Sequence, residues 1–248
     1  MLAQPNKRPF VKNAILANLS LSNLAAIGPF LEPIALRERT ILHEARKSVE
    51  NVYFVESGIV SQRIIAAGSI LETAVMGCRS AVGASSLFGG HIPTHQSVVL
   101  VPGHALRIQV EDLRRVMSER DQVREHLSRY VQALVMHGAQ MGLCGVRHNL
   151  EQRLACWLCL ACDALEGNVL PVTHDYLSCV LGLRRAGVTE TLIRFQDQGL
   201  LRKMRGVLQV DDHKRLAQKA CSCYSIVTTA YTSVEHYACV KHQAETAV

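Results

Sequence analysis

The nine cysteines are the most reactive side chains of this sequence, because a thiolate can bind a soft metal ion or form a disulfide. Their spacing picks out two groups, Cys156-Trp-Leu-Cys-Leu-Ala-Cys162 and Cys221-Ser-Cys223. The first group has helical spacing in an apolar context, so we expect its thiols to be buried in a core. The second has a less apolar context, and Cys221 and Cys223 form the candidate redox pair.

A zinc site would need more ligands than this pair, because structural zinc takes four. Partners would have to come from residues such as His213, Cys179 or Cys239. The odd number of cysteines and the length of the chain favour reduced thiols rather than a disulfide framework. We therefore expect no metal and no cofactor.

Cationic side chains are concentrated toward the C-terminal end of the chain. Residues 184–219 contain nine basic and four acidic residues, a surplus of five in a chain whose net charge is +6. A basic patch within one small unit is typical of proteins that bind polyanions, most often nucleic acid. The alternative is a solvated basic face, and charge alone does not separate the two.

The pattern around these cations predicts a helix-turn-helix followed by a wing. Thr173 is a good N-cap for a short helix that ends before Gly182, which supplies the turn. A second helix is expected over residues 184–198. Residues 200–204 and 207–210 then predict two short strands that form the wing. This arrangement coincides with the basic segment, so the two observations together indicate DNA binding.

The segments upstream of this unit, which must position it, have a different residue pattern. Residues 1–14 are polar and predict a flexible N-terminal arm. Residues 15–31 have helical periodicity, which Gly28 and Pro29 interrupt. Over residues 35–110, short apolar runs alternate with turn signals such as Ser57-Gly58 and Pro102-Gly103, which predicts a jelly-roll-like β unit. Residues 111–145 predict one long helix.

Six residues of the long helix form a seam with spacings of 4, 3, 4, 3 and 4. The seam either faces the β unit or packs against a second copy of the chain. Because a long solitary helix needs a partner for its apolar stripe, we favour a homodimer. The predicted dimerisation residues are Val123, Leu127, Tyr130, Leu134, His137 and Met141.

Composition and motifs exclude several classes of protein. With 48% hydrophobic and 19% charged residues, the chain is expected to be globular rather than disordered or fibrous. No apolar run is long enough for a membrane span, and no secretory signal is recognisable, so we expect a cytoplasmic protein. The motifs of serine hydrolases, phosphate-binding loops and zinc proteases are not found, and we expect no enzyme.

The ordered set of parts resembles the Crp/Fnr family of bacterial transcription regulators, which includes the cyclic-AMP receptor protein and the Fnr oxygen sensor. The resemblance extends over about residues 15–215. It is carried, besides the long helix, by Val52-Tyr-Phe-Val-Glu-Ser-Gly58, Val82-Gly-Ala-Ser-Ser-Leu-Phe88 and Thr173-His-Asp-Tyr-Leu-Ser-Cys-Val-Leu-Gly-Leu-Arg-Arg185.

This resemblance implies an α+β fold in which a sensor domain, a dimerisation helix and a DNA-binding domain follow one another. The expected parts are an N-terminal β-roll (jelly-roll-like) effector or sensor domain at 15–110, the dimerisation helix at 111–145, a C-terminal winged helix-turn-helix domain at 146–224, and a C-terminal extension at 225–248.

The effector-binding residues of the family carry over only in part. Members that bind cyclic nucleotides hold the ribose with a Gly-Glu pair and the cyclic phosphate with an Arg-Ser pair. Here the first pair reads Gly83-Ala84, and Thr94 and His95 lie where the arginine would be. Without these charged groups the nucleotide loses its strongest hydrogen bonds, so we expect no response to cyclic AMP. The iron–sulfur sensors use clustered N-terminal cysteines, whereas the first cysteine here is Cys78.

The DNA-reading positions also depart from the family. Where the family often presents Ser-Arg-Glu, this sequence has Arg184, Arg185 and Ala186. Arg185 keeps the arginine that can pair with guanine, whereas Ala186 cannot accept a hydrogen bond from cytosine. Each candidate could instead contact only phosphate. The candidate DNA contacts on the two helices and the wing are Thr173, His174, Arg184, Arg185, Thr189, Arg194, Arg202, Lys203 and Arg205.

The sequence therefore predicts a homodimeric, sequence-specific DNA-binding transcription regulator. The expected partners are double-stranded DNA, a second copy of the chain, RNA polymerase as the resemblance implies, and an effector of unknown identity. One alternative is a thiol- or metal-responsive regulator in which Cys221 and Cys223 modulate DNA affinity. Another is a β-roll enzyme with an appended binding module.

Overall fold

The computed structural model describes residues 11–89 and 92–245, with side chains as far as residue 234. Two short helices, α1 (Ala14–Ala17) and α2 (Leu21–Ile27), precede a six-stranded antiparallel sheet. Its strands run in the order β1-β6-β3-β4, with β2 paired to β6 and β5 paired to β3. They are β1 (Glu32–Leu36), β2 (Ile41–His43), β3 (Asn51–Ala66), β4 (Ser69–Met76), β5 (Ala81–Val82) and β6 (Gln96–Gln109). The predicted β-rich N-terminal unit is confirmed.

Strands β3 and β6 are single long strands where the sequence predicted four short ones. The predicted turns at Ser57-Gly58 and Pro102-Gly103 lie within the ladder, where the register between the two strands shifts. Gly58 has a φ of +87°, and a Cβ there would lie 2.5 Å from the carbonyl oxygen of Val101. A glycine inside a strand lets the chain bend without leaving the sheet, so these residues fold the sheet into a roll instead of reversing the chain.

The end of the predicted flexible arm is ordered against the roll. Asn13 is fully buried, and its amide donates hydrogen bonds of 2.9 Å to the carbonyl oxygens of Val55 and Ser80. Its side-chain oxygen also accepts from the amides of the first turn of α1. The assignment of residues 1–14 to a flexible arm is therefore wrong for Asn13, and residues 1–10 lie outside the described part of the chain.

The predicted long helix is two helices. Helix α3 (Val110–Glu119) packs on the roll, and helix α4 (Asp121–Arg147) follows it after a break at Arg120, whose φ of −132° and ψ of 88° are not helical. Residues 148–149 then connect α4 to α5 (Leu150–Leu165), which Asn149 begins with a capping box.

The predicted dimer seam faces the interior of its own chain. The structure therefore contradicts the choice of these residues as the dimer contact and supports the alternative, in which the seam faces the β unit. Besides the β unit, helix α9 (Ser222–Glu245) also buries the seam, because it packs along α4 and covers part of it. The Tyr231 hydroxyl of α9 lies 3.1 Å from Nδ1 of His137. Of the six seam residues, Met141 is half-buried. The other five are at most 6% exposed: Val123, Leu127, Tyr130, Leu134 and His137.

The C-terminal unit follows the predicted order of parts. Thr173 caps the first of its two crossed helices, and Gly199, with a φ of +67°, follows the end of the second. The helical thiols of α5 are buried, as predicted. No helix in the described part of the chain is long and apolar enough to cross a membrane. The elements are β7 (Val169–Leu170), α6 (His174–Val180), α7 (Arg185–Asp197), β8 (Leu201–Met204), β9 (Val207–Val210) and α8 (His213–Lys219).

A buried polar network joins the roll to the C-terminal unit. Glu72 of β4 accepts hydrogen bonds from the Ser61 hydroxyl, from the indole N–H of Trp157 in α5, and from the Tyr176 hydroxyl of α6 at 2.8 Å. Burial raises the pKa of Glu72, and the three donors oppose that shift by stabilising the carboxylate. The orientation of α6 relative to the roll is therefore set in part by one carboxyl group.

Candidate nucleic-acid interface

Helices α6 and α7 form the predicted helix-turn-helix. The Thr173 hydroxyl accepts a hydrogen bond of 3.1 Å from the amide of Tyr176, which fixes the start of α6. Gly182 has a φ of +58° in the turn, a conformation that glycine adopts without strain. Val188 of α7 is fully buried in the core beneath the two helices. The crossing of the two helices is therefore the one that the sequence predicted.

Arg184 and Arg185 lie exposed at the N-terminal end of α7. The Nε atom of Arg185 lies 2.7 Å from a carboxylate oxygen of Asp175 in α6, and both side chains are about two-thirds exposed. An ion pair at the surface contributes little free energy because water screens it. A guanine edge or a phosphate can therefore replace Asp175 as the partner of Arg185 at small cost.

His174 and Thr189 connect the two helices. The Nδ1 atom of His174 lies 2.9 Å from the hydroxyl oxygen of Thr189. Burial, followed by the positive charges of Lys203 and Arg185, lowers the pKa of His174. Lys203 of the wing and Arg185 of α7 therefore both lie near enough to His174 to act on its charge. Of the predicted contacts, the structure brings together His174 with Thr189 across the two helices, and Arg185 with α6 through Asp175.

The wing, the β8–β9 hairpin, extends this surface. Lys203 and Arg205 are exposed, and Gly206 has the positive φ that the tight turn requires. Arg202 differs, because its Nε atom lies 3.0 and 2.9 Å from the two carboxylate oxygens of Asp211. Arg202 therefore stabilises the hairpin in addition to any contact with a ligand.

Arg194 lies on another side of α7. Its Nη2 atom donates to the hydroxyl of Thr191 at 2.9 Å and lies 3.6 Å from a carboxylate oxygen of Glu151 in α5. Thr191 is buried, so Arg194 packs beside α5 rather than with the side chains at the start of α7. Its role in DNA binding stays a prediction, and phosphate contact suits this position better than base contact.

Two residues of the outward face of α7 were not among the sequence-based candidates. Glu190 and Ile193 are exposed, and they lie four and seven residues after Ala186. Their helical spacing from Arg185 and Ala186 is the signal that could have identified them. A carboxylate can accept a hydrogen bond from cytosine, and an apolar side chain can contact the methyl group of thymine.

The sensor domain lacks a carboxylate where the resemblance would place one. Gly83 has a φ of +92°, and a Cβ there would lie 2.5 Å from a ring carbon of His43. Ala84 follows it, fully buried, at the start of a short 3-10 helix. His43 is fixed by the carbonyl oxygen of Asn51, 2.8 Å from its Nε2 atom, and burial lowers the pKa of this histidine. The position after Gly83 therefore presents a buried methyl group and no carboxylate.

The second family position also offers no cation. Thr94 is exposed and lies 3.1 Å from the Nδ1 atom of its neighbour His95. The nearby Arg63 of β3 donates two hydrogen bonds, of 3.0 and 2.8 Å, to the side-chain oxygen of Gln96. Gln96 in turn donates to Glu44 at 2.8 Å. Arg63 is therefore engaged in a polar chain within the roll.

The candidate redox pair is buried and lies close to two residues that sequence reasoning did not connect to it. The sulfur atoms of Cys221 and Cys144 are 3.5 Å apart, and that of Cys223 lies 3.3 Å from Nδ1 of His148. Of the partners that the sequence suggested, His213 pairs with Asp163, and Cys179 is exposed on α6. The side chain of Cys239 lies outside the described residues. The missed signal is the Cys144–His148 spacing of four on a helix.

Two family models match the chain, in the order of the domains described above. A cyclic nucleotide-binding domain matches residues 33–120, and a Crp-like helix-turn-helix domain matches residues 152–219. No curated protein matches the chain significantly.

Solved structures share the fold at low sequence identity. FixK2 from Bradyrhizobium japonicum is 18% identical with a TM-score of 0.66, over 77% of this chain and 98% of its own. A transcriptional regulator of the Crp/Fnr family from Eubacterium rectale is 18% identical with a TM-score of 0.61, over 83% and 96%. The c-di-GMP-responsive global regulator CLP from Xanthomonas campestris is 15% identical with a TM-score of 0.62, over 77% and 99%. These three solved structures therefore share the fold of this chain from the roll to the wing.

Proposed function

This chain is a Crp/Fnr-type DNA-binding transcription regulator, and from that premise we propose that it binds an inverted repeat as a homodimer. In the proposed complex each copy places the start of α7 in the major groove, and the wing contacts flanking phosphates. The observation that supports this most is the exposed cationic start of α7, formed by Arg184 and Arg185, with Arg185 held beside α6 by Asp175.

The proposed contacts divide into base-reading and phosphate-binding groups. Arg185 pairs with a guanine, and Glu190, one turn further along the exposed face, accepts from a cytosine. Arg184 and Thr189 lie on the flanks of that face and contact either bases or phosphates. The phosphate contacts come from the capped start of α6 and from the cations around it: Thr173, His174, Arg194, Arg202, Lys203 and Arg205.

A second copy of the chain is proposed to pack on the outward stripe of α4, which we call the outer seam: Gln132, Val135, Ala139, Gly142 and Val146. These residues are spaced by 3, 4, 3 and 4, and all are exposed. Val135 is 68% exposed and Val146 is 82% exposed. Two more apolar side chains, Met136 and Leu143, flank the stripe and are also exposed.

The composition of the outer seam favours a helix of the same chain as its occupant. A heptad spacing is what two parallel helices need in order to stay in contact along their length. Ala139 and Gly142 lie in its middle, and a Cβ at Gly142 would meet nothing within 4 Å. Small residues allow two helix backbones to approach closely, and a two-fold axis would then bring two α7 helices to one side of a duplex.

Selection of bound fragments from a random DNA pool tests the proposal. The expected result is an inverted repeat whose half-sites lie about 10–10.5 base pairs apart or a multiple of that spacing. Recovery of unrelated sequences, or of single half-sites bound by one copy, would contradict it. RNA polymerase is proposed as a further partner and the cytoplasm as the compartment, both supported only by the assigned role in transcription.

The sensor domain is proposed not to respond to cyclic AMP. The buried Ala84, the exposed Thr94 and the half-buried His95 offer neither the carboxylate nor the arginine that ribose and phosphate require. Thermal unfolding with and without saturating cyclic AMP tests this, because a ligand that binds only the folded state raises its midpoint. The expected shift is nil, and a rise that depends on nucleotide concentration would overturn the proposal.

A further inference from the structure

Four metal-ligating side chains from two distant segments meet at the junction between the long helix and the C-terminal extension. Cys144 and His148 lie at the C-terminal end of α4, and Cys221 and Cys223 lie at the N-terminal end of α9. One ligand atom from each lies within 4.8 Å of all the others. The DNA-binding role assigned above uses none of these four residues.

The separations suit one tetrahedral ion. Zinc bonds of about 2.3 Å to sulfur and about 2.0 Å to nitrogen place neighbouring ligand atoms roughly 3.5–3.8 Å apart. The sulfur atoms of Cys144 and Cys221 are 3.5 Å apart, and the Cys223 sulfur lies 3.3 Å from the His148 ring nitrogen. Small rearrangements of the side chains would complete the tetrahedron without a change in the backbone.

Local structure explains why these residues converge. Cys144 lies in the last turn of α4, and His148 is the residue that ends this helix, where its backbone amide still donates to the Cys144 carbonyl oxygen. Cys221 immediately precedes α9 and Cys223 lies in its first turn, where the amide groups favour negatively charged sulfur. The packing of α9 along α4 then brings the two pairs together.

The surroundings are those of a closed site. Cys144, Cys221 and Cys223 are at most 5% exposed. The Gln140 amide donates a hydrogen bond of 3.2 Å to the Cys223 sulfur. Cys156 of α5, also buried, packs in the same cluster as Cys144, Cys221 and Cys223. In metal sites, hydrogen bonds from residues that do not bind the ion hold the ligating side chains in place.

We propose that Cys144, His148, Cys221 and Cys223 bind one zinc ion in a closed tetrahedral site. Three thiols and one imidazole are a ligand set typical of structural zinc. Binding releases the three thiol protons to solvent, and the imidazole binds in its neutral form. With four protein ligands no position is left for water, so the ion has a structural or regulatory role rather than a catalytic one.

The position of the site gives it a regulatory consequence. His148 lies in the two-residue connection between α4 and α5, and Cys221 follows α8 of the DNA-binding unit. The zinc ion therefore ties both ends of the DNA-binding unit to the long helix. Leu143 and Val146 of the outward face of α4 flank Cys144 in the sequence, so loss of the ion would loosen the end of that helix.

Zinc content of the full-length protein, purified under reducing conditions and dialysed, is the first test. We expect about one zinc ion per chain. Cys223→Ser and His148→Ala each remove a ligand and should lose the ion during dialysis, whereas Cys179→Ser, an exposed thiol outside the cluster, should retain it. Gln140→Leu, which removes only an outer hydrogen bond, should weaken zinc binding by about 10–100-fold.

Cobalt substitution of the wild-type chain gives a readout that needs no variant to fold. Stoichiometric cobalt should produce intense visible bands of a tetrahedral ion and the charge-transfer absorption of three thiolates. Full-length protein that binds neither ion after reduction would overturn the proposal. So would a Cys144–Cys221 disulfide in the protein as purified anaerobically, or zinc retained by Cys223→Ser. None of these results depends on DNA binding, so the proposed DNA complex is tested separately.

Discussion

At the scale of single residues, Arg185 and Arg205 are expected to differ in what they do for DNA binding. Arg185 lies at the start of α7 and reads a base in the proposed complex, so Arg185→Ala should reduce discrimination between cognate and random DNA by about 1–3 kcal/mol. Arg205 lies on the wing, so Arg205→Ala should weaken binding to all sequences similarly and lower the slope of the salt dependence by about 1.

Titration of the selected site and of random DNA at several salt concentrations measures both quantities. Arg124→Ala is the matched control, because it removes the same charge from an exposed position on α4 that pairs only locally with Asp121. An Arg185→Ala protein that discriminates as well as wild type would remove Arg185 from the base-reading group. An unchanged salt slope for Arg205→Ala would remove the wing from the phosphate contacts.

The residue types at the interface could be read from the sequence, but their roles could not. Arg185 and the wing cations lie exposed where the pattern predicted them. Arg194, in contrast, lies 3.6 Å from a carboxylate oxygen of Glu151 in α5, and Glu190, which was not a candidate, is exposed. The helical period alone fixes the angle between side chains, and the packing partner of the helix decides which angle faces solvent.

At the scale of elements, the contact between α4 and α9 is expected to depend on pH through His137. Burial lowers the pKa of His137 to about 4, and the ordinary value of an exposed histidine is 6.5. A lowered pKa contributes stability above about pH 6.5, and this stability is lost as the pH falls toward about 4. The loss should amount to about 3 kcal/mol.

Urea unfolding at several pH values measures this contribution. His137→Asn should remove the pH-dependent part, because asparagine does not titrate in this range. Tyr231→Phe deletes the hydroxyl that His137 contacts and should cost about 0.5–1.5 kcal/mol without changing the slope with pH. If wild type and His137→Asn lose stability in parallel as the solution is acidified, His137 is not the group responsible.

The outer seam of α4 is expected to carry the dimer. Val146→Asp places two like charges beside each other across a two-fold axis, which should weaken dimerisation by at least about tenfold. Sedimentation over a range of protein concentrations measures the effect. Ile65→Asp, on an exposed edge of β3, is the control for a charge added to an apolar surface position. Dimers of equal strength in both variants would place the interface elsewhere.

The choice between the two seams of α4 shows what a one-dimensional pattern leaves open. The predicted dimer seam, which is the inner seam of α4, has bulky residues such as Leu127 and Tyr130, and the outer seam has Ala139 and Gly142. Both have heptad spacing, and only the bulkier one was identified from the sequence. The structure assigns it to the roll and to α9, because large side chains fill a core well.

At the scale of the whole molecule, Glu72 is expected to couple the two domains. Glu72→Gln places an amide N–H₂ group among three hydrogen-bond donors, Ser61, Trp157 and Tyr176, so unfolding should become easier by about 1–3 kcal/mol. Trp157 is the only tryptophan, so its fluorescence emission reports directly on this contact. A shift toward longer wavelength is expected if the contact opens to water.

The same carboxyl group gives a pH dependence of opposite sign to that of His137. Burial raises the pKa of Glu72 above its ordinary value of 4.5. The stability that it contributes is therefore complete below that value and declines as the pH rises through the raised pKa. Wild type should lose more stability than Glu72→Gln as the pH rises above 4.5. Equal losses would indicate that Glu72 does not titrate in this range.

By itself, the sequence determined the order of domains, the position of the helix-turn-helix and wing, and the burial of the helical thiols. These features depend on local signals: Thr173 as a cap, Gly182 and Gly199 at positive φ, and a change in hydrophobic period. Only the tertiary structure decided that β3 and β6 continue through Gly58 and Gly103. It also decided that α9 covers the inner seam and that Cys144 and His148 meet Cys221 and Cys223. These contacts join residues distant along the chain, and such contacts depend on how whole elements pack, which local spacing does not encode.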